Sequence, residues 1–317
     1  MILVVGALAN PAIAFVCSSL LAAGDDFLLL DTRQYPIHFE PQWSIVGGSL
    51  HGKVRAGRRV VSLEEISAVY IHQIDTPPWL PYPDAEPDPG VLPQGAWALA
   101  AFVSVLPCLV VNGPSSCRSN AAKALQLPII ARAGFLTPRT LITNMPDEVR
   151  RFHEEVGGRV VFKSMSHRRS IVRPLSDEDL LALDSLALSP VLFQEQVNGV
   201  DIRVHVVGAS VFATAIESGA TDYRHEFRCG LGSPLLYSVV LPDQIAAQCV
   251  ILTRALGMAI SGIDLRRTPE GEYVCFEVNP APGFTFYQAA TNQPIGQALI
   301  DLLRSGKRPM NNWNQIS

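Results

Sequence analysis

The chain opens with short apolar runs separated by one helical stretch. Ile2 to Val5 has the length and composition of a buried strand. Pro11 to Ala23 carries helical periodicity behind Asn10 as its N-cap, and Phe27 to Leu30 is a second strand-length run. This β-α-β order predicts a Rossmann-like unit. Its turn, Gly6-Ala-Leu-Ala-Asn10, holds one glycine and departs from GxGxxG, which argues against a dinucleotide site. Strands near Trp43 to Val46 and Ala68 to Ile71, a helix from Gln94 to Leu106 and a strand from Cys108 to Val111 complete this part. Thr76 to Pro93, rich in Pro and Asp, reads as a surface loop with polyproline character. Asn112-Gly-Pro-Ser-Ser116, a run of turn formers, reads as a linker.

Beyond the linker the pattern predicts a helix over Asn120 to Ala133, kinked or restarted at Pro128. Strands at Arg139 to Ile142, Val160 to Lys163 and Ile171 to Arg173 alternate with helices at Asp147 to Glu155 and Asp177 to Ser185. The last part has strands at Val191 to Glu195, Asp201 to Val207 and Val211 to Glu217, a helix from Pro242 to Leu256 and a closing helix from Pro294 to Arg304. Between those helices, Ser261 to Arg267 and Glu272 to Val278 flank the turn Thr268-Pro-Glu-Gly271 and read as a hairpin. The expected class is α/β, passing to α+β in the C-terminal part. The domains are 1–115, a Rossmann-like unit, and 116–317, divided into lobes 116–193 and 194–317.

Composition narrows the options. The 317 residues are 48% hydrophobic and 17% charged, enough for a large core and too apolar for disorder. Net charge is −4 and no Lys/Arg block stands out, so a nucleic-acid partner is not expected. The six cysteines show no CxxC spacing and read as reduced core residues of a cytoplasmic protein. Met1 to Gly24 lacks a basic n-region and is broken by Asn10-Pro11, and Ala96 to Val111 is too short to span a bilayer. A membrane is therefore not expected either.

Strict alternation on the hairpin places Cys275, Glu277 and Asn279 on one face, with Val274, Phe276 and Val278 on the other. Asp264 on the partner strand can join the first face. Two carboxylates and an amide oxygen form a hard donor set that suits Mg²⁺, which completes its shell with water and substrate phosphates. Solvated hairpin carboxylates and a turn-starting Asn-Pro account for the same residues, so this segment alone leaves both readings open. Lys163 ends an apolar strand, where its ammonium can reach bound phosphate or simply face solvent. Gln194-Glu-Gln-Val197 follows a strand and precedes Asn198-Gly199, where the backbone could bend to meet a purine edge. Alternation puts Asp201, Arg203 and His205 on one face, Asp201 able to accept from ribose hydroxyls and Arg203 to contact an anion.

Taken together, Lys123, Lys163, Gln194-Glu195, Asp201-Ile-Arg203, Asp222-Tyr-Arg224, Asp264 and Glu277-Val-Asn279 resemble the ATP-grasp carboxylate-amine ligases. The resemblance covers about Asn112 to Leu303 and is to the RimK-like branch that includes the microviridin-type (graspetide) peptide ligases. It implies an N-terminal domain packed on a two-lobed ATP-grasp domain. Lys123 and Lys163 would contact phosphates, and Gln194, Glu195, Gln196 and Val197 would form the adenine hinge. Asp201 would hold the ribose. Asp264, Glu277 and Asn279 would hold two magnesium ions, or Mn²⁺, with Glu277 bridging. Arg224, with Arg203 assisting, would steady the acyl phosphate. The implied substrates are ATP, a small-molecule or peptide carboxylate, and an amine or hydroxyl acceptor; a homo-oligomer stays open.

One stretch departs from the family pattern. Ser164-Met-Ser-His-Arg-Arg-Ser170 contains no glycine where such ligases carry a glycine-rich phosphate lid. Arg168 or Arg169 could replace the missing backbone donors with side-chain charge. The departure also sustains a second reading, an ATP-binding partner subunit of a peptide-modifying system with weak turnover.

Overall fold

In the computed structural model of the chain, residues 1–32, 39–72, 91–116, 123–163, 172–184, 189–218 and 234–307 are described. The first unit is a parallel sheet of β1 (Ile2–Val5), β2 (Phe27–Leu30), β6 (Ala68–Ile71) and β7 (Leu109–Val111), in the order β2-β1-β6-β7. Helix α1 (Pro11–Ala22) makes the crossover, and Asn10 caps it by accepting from the N–H groups of Ala12 and Ile13. The apolar N-terminal run is thus β1 and α1, built into the core.

The strand expected near Trp43 is longer and not alone. β3 (Phe39–Val46), β4 (Ser49–Ala56) and β5 (Arg59–Ser62) form an antiparallel sheet of their own. Helix α2 runs Val91–Val105, so the end of the expected Thr76–Pro93 loop is helical. Pro93 sits in its first turn, where no helical hydrogen bond is lost. The rest of that loop, Thr76 to Gly90, lies outside the described residues.

The second sheet is antiparallel, β10-β9-β11-β8, from β8 (Thr140–Thr143), β9 (Val160–Lys163), β10 (Arg173–Pro174) and β11 (Val191–Glu195). Helices α4 (Pro146–Glu155) and α5 (Asp177–Leu181) pack on it, while α3 (Lys123–Arg132), which precedes it in the chain, packs on the third sheet. α3 runs through Pro128 without restarting. α5 is shorter than expected and carries a capping box between Ser176 and Asp179.

The third sheet is antiparallel, β14-β13-β12-β15-β16: β12 (Val200–Val207), β13 (Ser210–Glu217), β14 (Leu235–Val239), β15 (Ile260–Arg267) and β16 (Tyr273–Asn279). One face packs on α6 (Asp243–Ala255) and α3 through Val204, Ile263, Leu265, Cys275 and Leu252. The other face meets α7 (Thr285–Thr291) and α8 (Ile295–Ser305). One apolar cluster joins α8 residues Leu299, Ile300 and Leu303 to Val4, Ile13 and Leu20 of the first unit, and to Val207 and Ile216 of the third sheet.

The strict alternation expected for β16 fails at one point. Asp264 pairs with Glu277 but Leu265 pairs with Cys275, leaving Phe276 as the extra residue of a β-bulge. Cys275 therefore faces the core with Leu265 and is fully buried, rather than sharing the Glu277 face. Phe276 lies instead beneath the Arg266 guanidinium, 5.4 Å from ring centroid to Cζ.

Candidate active site

Residues directly opposite in an antiparallel sheet point to the same side. Arg203 lies opposite Asp264, Asp264 opposite Glu277, and Gly262 opposite both His205 and Asn279. The register therefore brings Arg203, Asp264, Glu277 and Asn279 together on the face turned away from α6. Lys163 arrives from the end of β9 in the second sheet, its Nζ 3.5 Å from Oε2 of Glu277. That contact ties two separate sheets at one carboxylate.

The charges are arranged in pairs. Arg203, almost wholly buried, donates from Nη1 to Oδ1 of Asp264 at 2.6 Å. Gly262 makes room for it: a Cβ there would lie 2.0 Å from Arg203 Nη2 and 2.8 Å from the Pro282 ring. Tyr287 supports the same guanidinium, its ring centroid 5.9 Å from Cζ, and packs against the buried His205 ring at 4.9 Å with the planes tilted by 57°. Asn279 folds its carboxamide oxygen back to accept from Ala281 N–H at 2.9 Å, which shapes the Asn-Pro-Ala turn.

Further along the same face, Arg266 donates from Nε to Oδ1 of Asp201 at 2.7 Å and from Nη1 to the carbonyl of Val197 at 2.7 Å. It thereby fixes the chain leaving β11 against β12. Gln194 is buried and donates to Thr140 Oγ1 at 3.0 Å, while Glu195 accepts from the Arg139 N–H at 3.0 Å, so both side chains turn toward β8. Gln196 holds its place through its N–H to the carbonyl of Arg159 at 2.8 Å. Lys123 begins α3, and its side chain lies outside the described residues, as do Arg224 and the stretch 164–170 with Arg168 and Arg169.

Three contributors escaped the sequence reading. Arg266 had a local signal, two residues beyond Asp264 on the same face of one strand. Gln126 and Asn112 are buried carboxamides from α3 and the end of β7 that bond the main chain around Asn279. Their partners are more than a hundred residues away in sequence, so no local pattern marks them. Asn112 is thus a buried anchor rather than an exposed linker residue.

The site fits a hard divalent cation. Asp264 and Glu277 are adjacent across the strands, their side chains retain 18% and 20% exposure, and each is charge-balanced by a nearly buried cation. Among the described residues no cluster of three or more His, Cys, Asp or Glu side chains forms an all-protein cage. Two carboxylates with an amide oxygen match an ion that also takes phosphate and water ligands.

Two β-rich lobes meeting at a lysine and a carboxylate pair define the ATP-grasp class of ligase. A RimK-like ATP-grasp domain matches residues 119–303, and the chain belongs to that family. It is an ATP-dependent ligase that joins a carboxylate to an amine or hydroxyl, and enzymes of this family use ATP and Mg²⁺. A protein described as a probable alpha-L-glutamate ligase of Saccharophagus degradans is 29% identical over 213 residues, covering 63% of this chain and 69% of that protein. Among solved structures, the macrocyclase MdnC of Microcystis aeruginosa, bound with precursor peptide MdnA, is 25% identical, covers 96% of this chain and 99% of its own, and has a TM-score of 0.79. The ATP-grasp ligase PsnB, complexed with a minimal precursor, is 26% identical, covers 96% and 98%, and has a TM-score of 0.81. Among the described residues no helix is long and apolar enough to cross a membrane.

Proposed function

We propose that the chain is a peptide-directed ligase whose site is made of the residues named above. A side-chain carboxylate of the peptide attacks the γ-phosphorus of ATP, releasing ADP and leaving an acyl phosphate. An amine or hydroxyl then attacks the acyl carbon, gives up its proton, and expels inorganic phosphate. Lys163 and Lys123 hold the phosphates, Gln194 to Val197 border the adenine, and Asp201 faces the ribose. Arg224 and Arg203 counter negative charge near the acyl phosphate, Arg203 acting through Asp264. Asp264, Glu277 and Asn279 would hold two Mg²⁺, replaceable by Mn²⁺. Bound there, the ions neutralise charge on the transferring phosphoryl group.

The observation that carries this reading is the 3.5 Å approach of Lys163 to Glu277 across two sheets. A phosphoryl-transfer site needs a fixed cation close to carboxylates able to take a metal, and a buried lysine reaching Glu277 from another sheet supports that reading. The peptide substrate is supported by MdnC and PsnB, which are described as bound to precursor peptides.

The test incubates the full chain with Mg-ATP and acidic peptides, following ADP and peptide mass together. A peptide that loses one water per bond while ADP forms in equal amount supports the reading. Intact ADP binding with no peptide losing water, but with a free amino acid or other small carboxylate consumed, would replace the peptide with a small-molecule substrate.

A further inference from the structure

Two buried carboxamides grip the main chain on either side of Asn279. Gln126, 1% exposed, donates from Nε2 to the carbonyl of Val278 at 2.8 Å and accepts at Oε1 from the Val278 N–H at 2.9 Å. Asn112, 2% exposed, donates from Nδ2 to the carbonyls of Pro280 and Ile260, both at 2.5 Å. Its Oδ1 accepts from the N–H groups of Ala259 at 2.7 Å and Ile260 at 3.2 Å.

β16 is an edge strand; among the described residues its outer main chain meets the single bridge of Val274 to Leu136, whose carbonyl accepts from the Cys275 N–H at 2.9 Å, and no further strand. At Val278 the Gln126 side chain takes the place of that strand, offering one donor and one acceptor to a single residue. Val278 lies between Glu277 and Asn279, and Pro280 follows directly. The two carboxamides therefore fix the main chain at both neighbours of Asn279 and at the residue after Glu277. An edge strand that ends at its functional residues would otherwise fray there.

We propose that Gln126 and Asn112 are positioning residues for the metal: they set the spacing between the Glu277 carboxylate and the Asn279 carboxamide. This rests on reading Asp264, Glu277 and Asn279 as the ligands. A hydrogen bond that orients the support of a metal ligand is worth about 10- to 100-fold in metal affinity.

The test measures Mn²⁺ binding by electron paramagnetic resonance on the full chain with ADP present, and ADP affinity without metal by calorimetry. Gln126→Leu should weaken Mn²⁺ binding by about tenfold or more while metal-free ADP affinity stays within about twofold. In Gln126→Glu the buried carboxyl, held neutral by desolvation, still offers a donor and an acceptor. Its Mn²⁺ affinity should be near wild type at mildly acidic pH and fall as the carboxyl ionises at higher pH. Unchanged Mn²⁺ affinity in Gln126→Leu, with faster solvent exchange of the Val278 amide, would mean scaffolding only and overturns the proposal. If Gln126→Leu does not fold, Gln126→Asn decides, its carboxamide being too short to reach both Val278 groups: weakened Mn²⁺ binding supports the role, and wild-type affinity overturns it. Glu277→Gln, run in parallel, separates the two levels, because unchanged Mn²⁺ affinity there removes the ligand assignment itself.

Discussion

Lys163 is almost wholly buried and yet ends a strand, a placement that makes sense only if an anionic partner meets it. Lys163→Met removes a charge-assisted contact worth roughly 1.5 to 3 kcal/mol, so ATP affinity should fall about tenfold to hundredfold by calorimetry. An unchanged isotherm would leave Lys163 with Glu277 alone. The cysteines behave oppositely, as inert core groups. Burial pushes the Cys249 thiol up to about 12 and holds Cys275 well above the usual thiol range, with Cys249, Asp264 and Glu277 adding to the latter. Neither thiol should be alkylated by iodoacetamide in the native protein at pH 8, and both should react once it is unfolded, as mass spectrometry of digests will report. Because their folded values lie above the unfolded one, the stability they contribute is complete below the ordinary thiol pKa and declines as pH rises past it.

At the scale of elements, the long strands and their facing residues were legible because alternation is a strong local signal. Asp201 and Arg203 on one face of β12, and Asp264 beside Glu277, follow from it directly. Cys275 was misplaced because a bulge adds one residue without a sequence mark, and Phe276 is no unusual residue for a strand. β4 and β5 were missed because His51, Lys53, Arg55 and Arg59 dominate their pattern, leaving Val54 and Val61 as the buried residues that reveal the inner face. α7 is too short to show helical periodicity. β15 carries a sharper prediction. Gly262→Ala would drive a methyl group into the Arg203 guanidinium, so the Arg203–Asp264 pair must break or shift. The cost should be about 1 to 3 kcal/mol in urea unfolding, with weakened dependence of ATP binding on Mg²⁺. Wild-type values for both would mean that Arg203 has room to move without consequence.

At the scale of the whole molecule, the apolar periods announced the two kinds of unit but not how they join. The joint is the cluster that α8 shares with β1, α1 and the third sheet, reinforced by Arg304 on Asp25 at 2.7 Å. Such long-range packing leaves no trace in a window of neighbouring residues. Leu303, fully buried in that cluster, is its most direct probe: Leu303→Ala should cost about 2 to 5 kcal/mol. Thermal unfolding should then show the first unit and the C-terminal lobe shifting together, whereas separate transitions would mean that they fold independently. The fold thus holds the sheet that carries Asp264 and Glu277 against an N-terminal unit while Lys163 reaches it from another lobe. The central claim is that Glu277 joins a magnesium ion to ATP, and the measurement is calorimetric titration of ATP into wild type and Glu277→Gln, each with saturating Mg²⁺ and with chelator. Wild type should bind ATP much more tightly with Mg²⁺, and Glu277→Gln, folded as judged by its circular dichroism spectrum, should give nearly the same isotherm in both conditions. Full magnesium enhancement in Glu277→Gln would contradict the account.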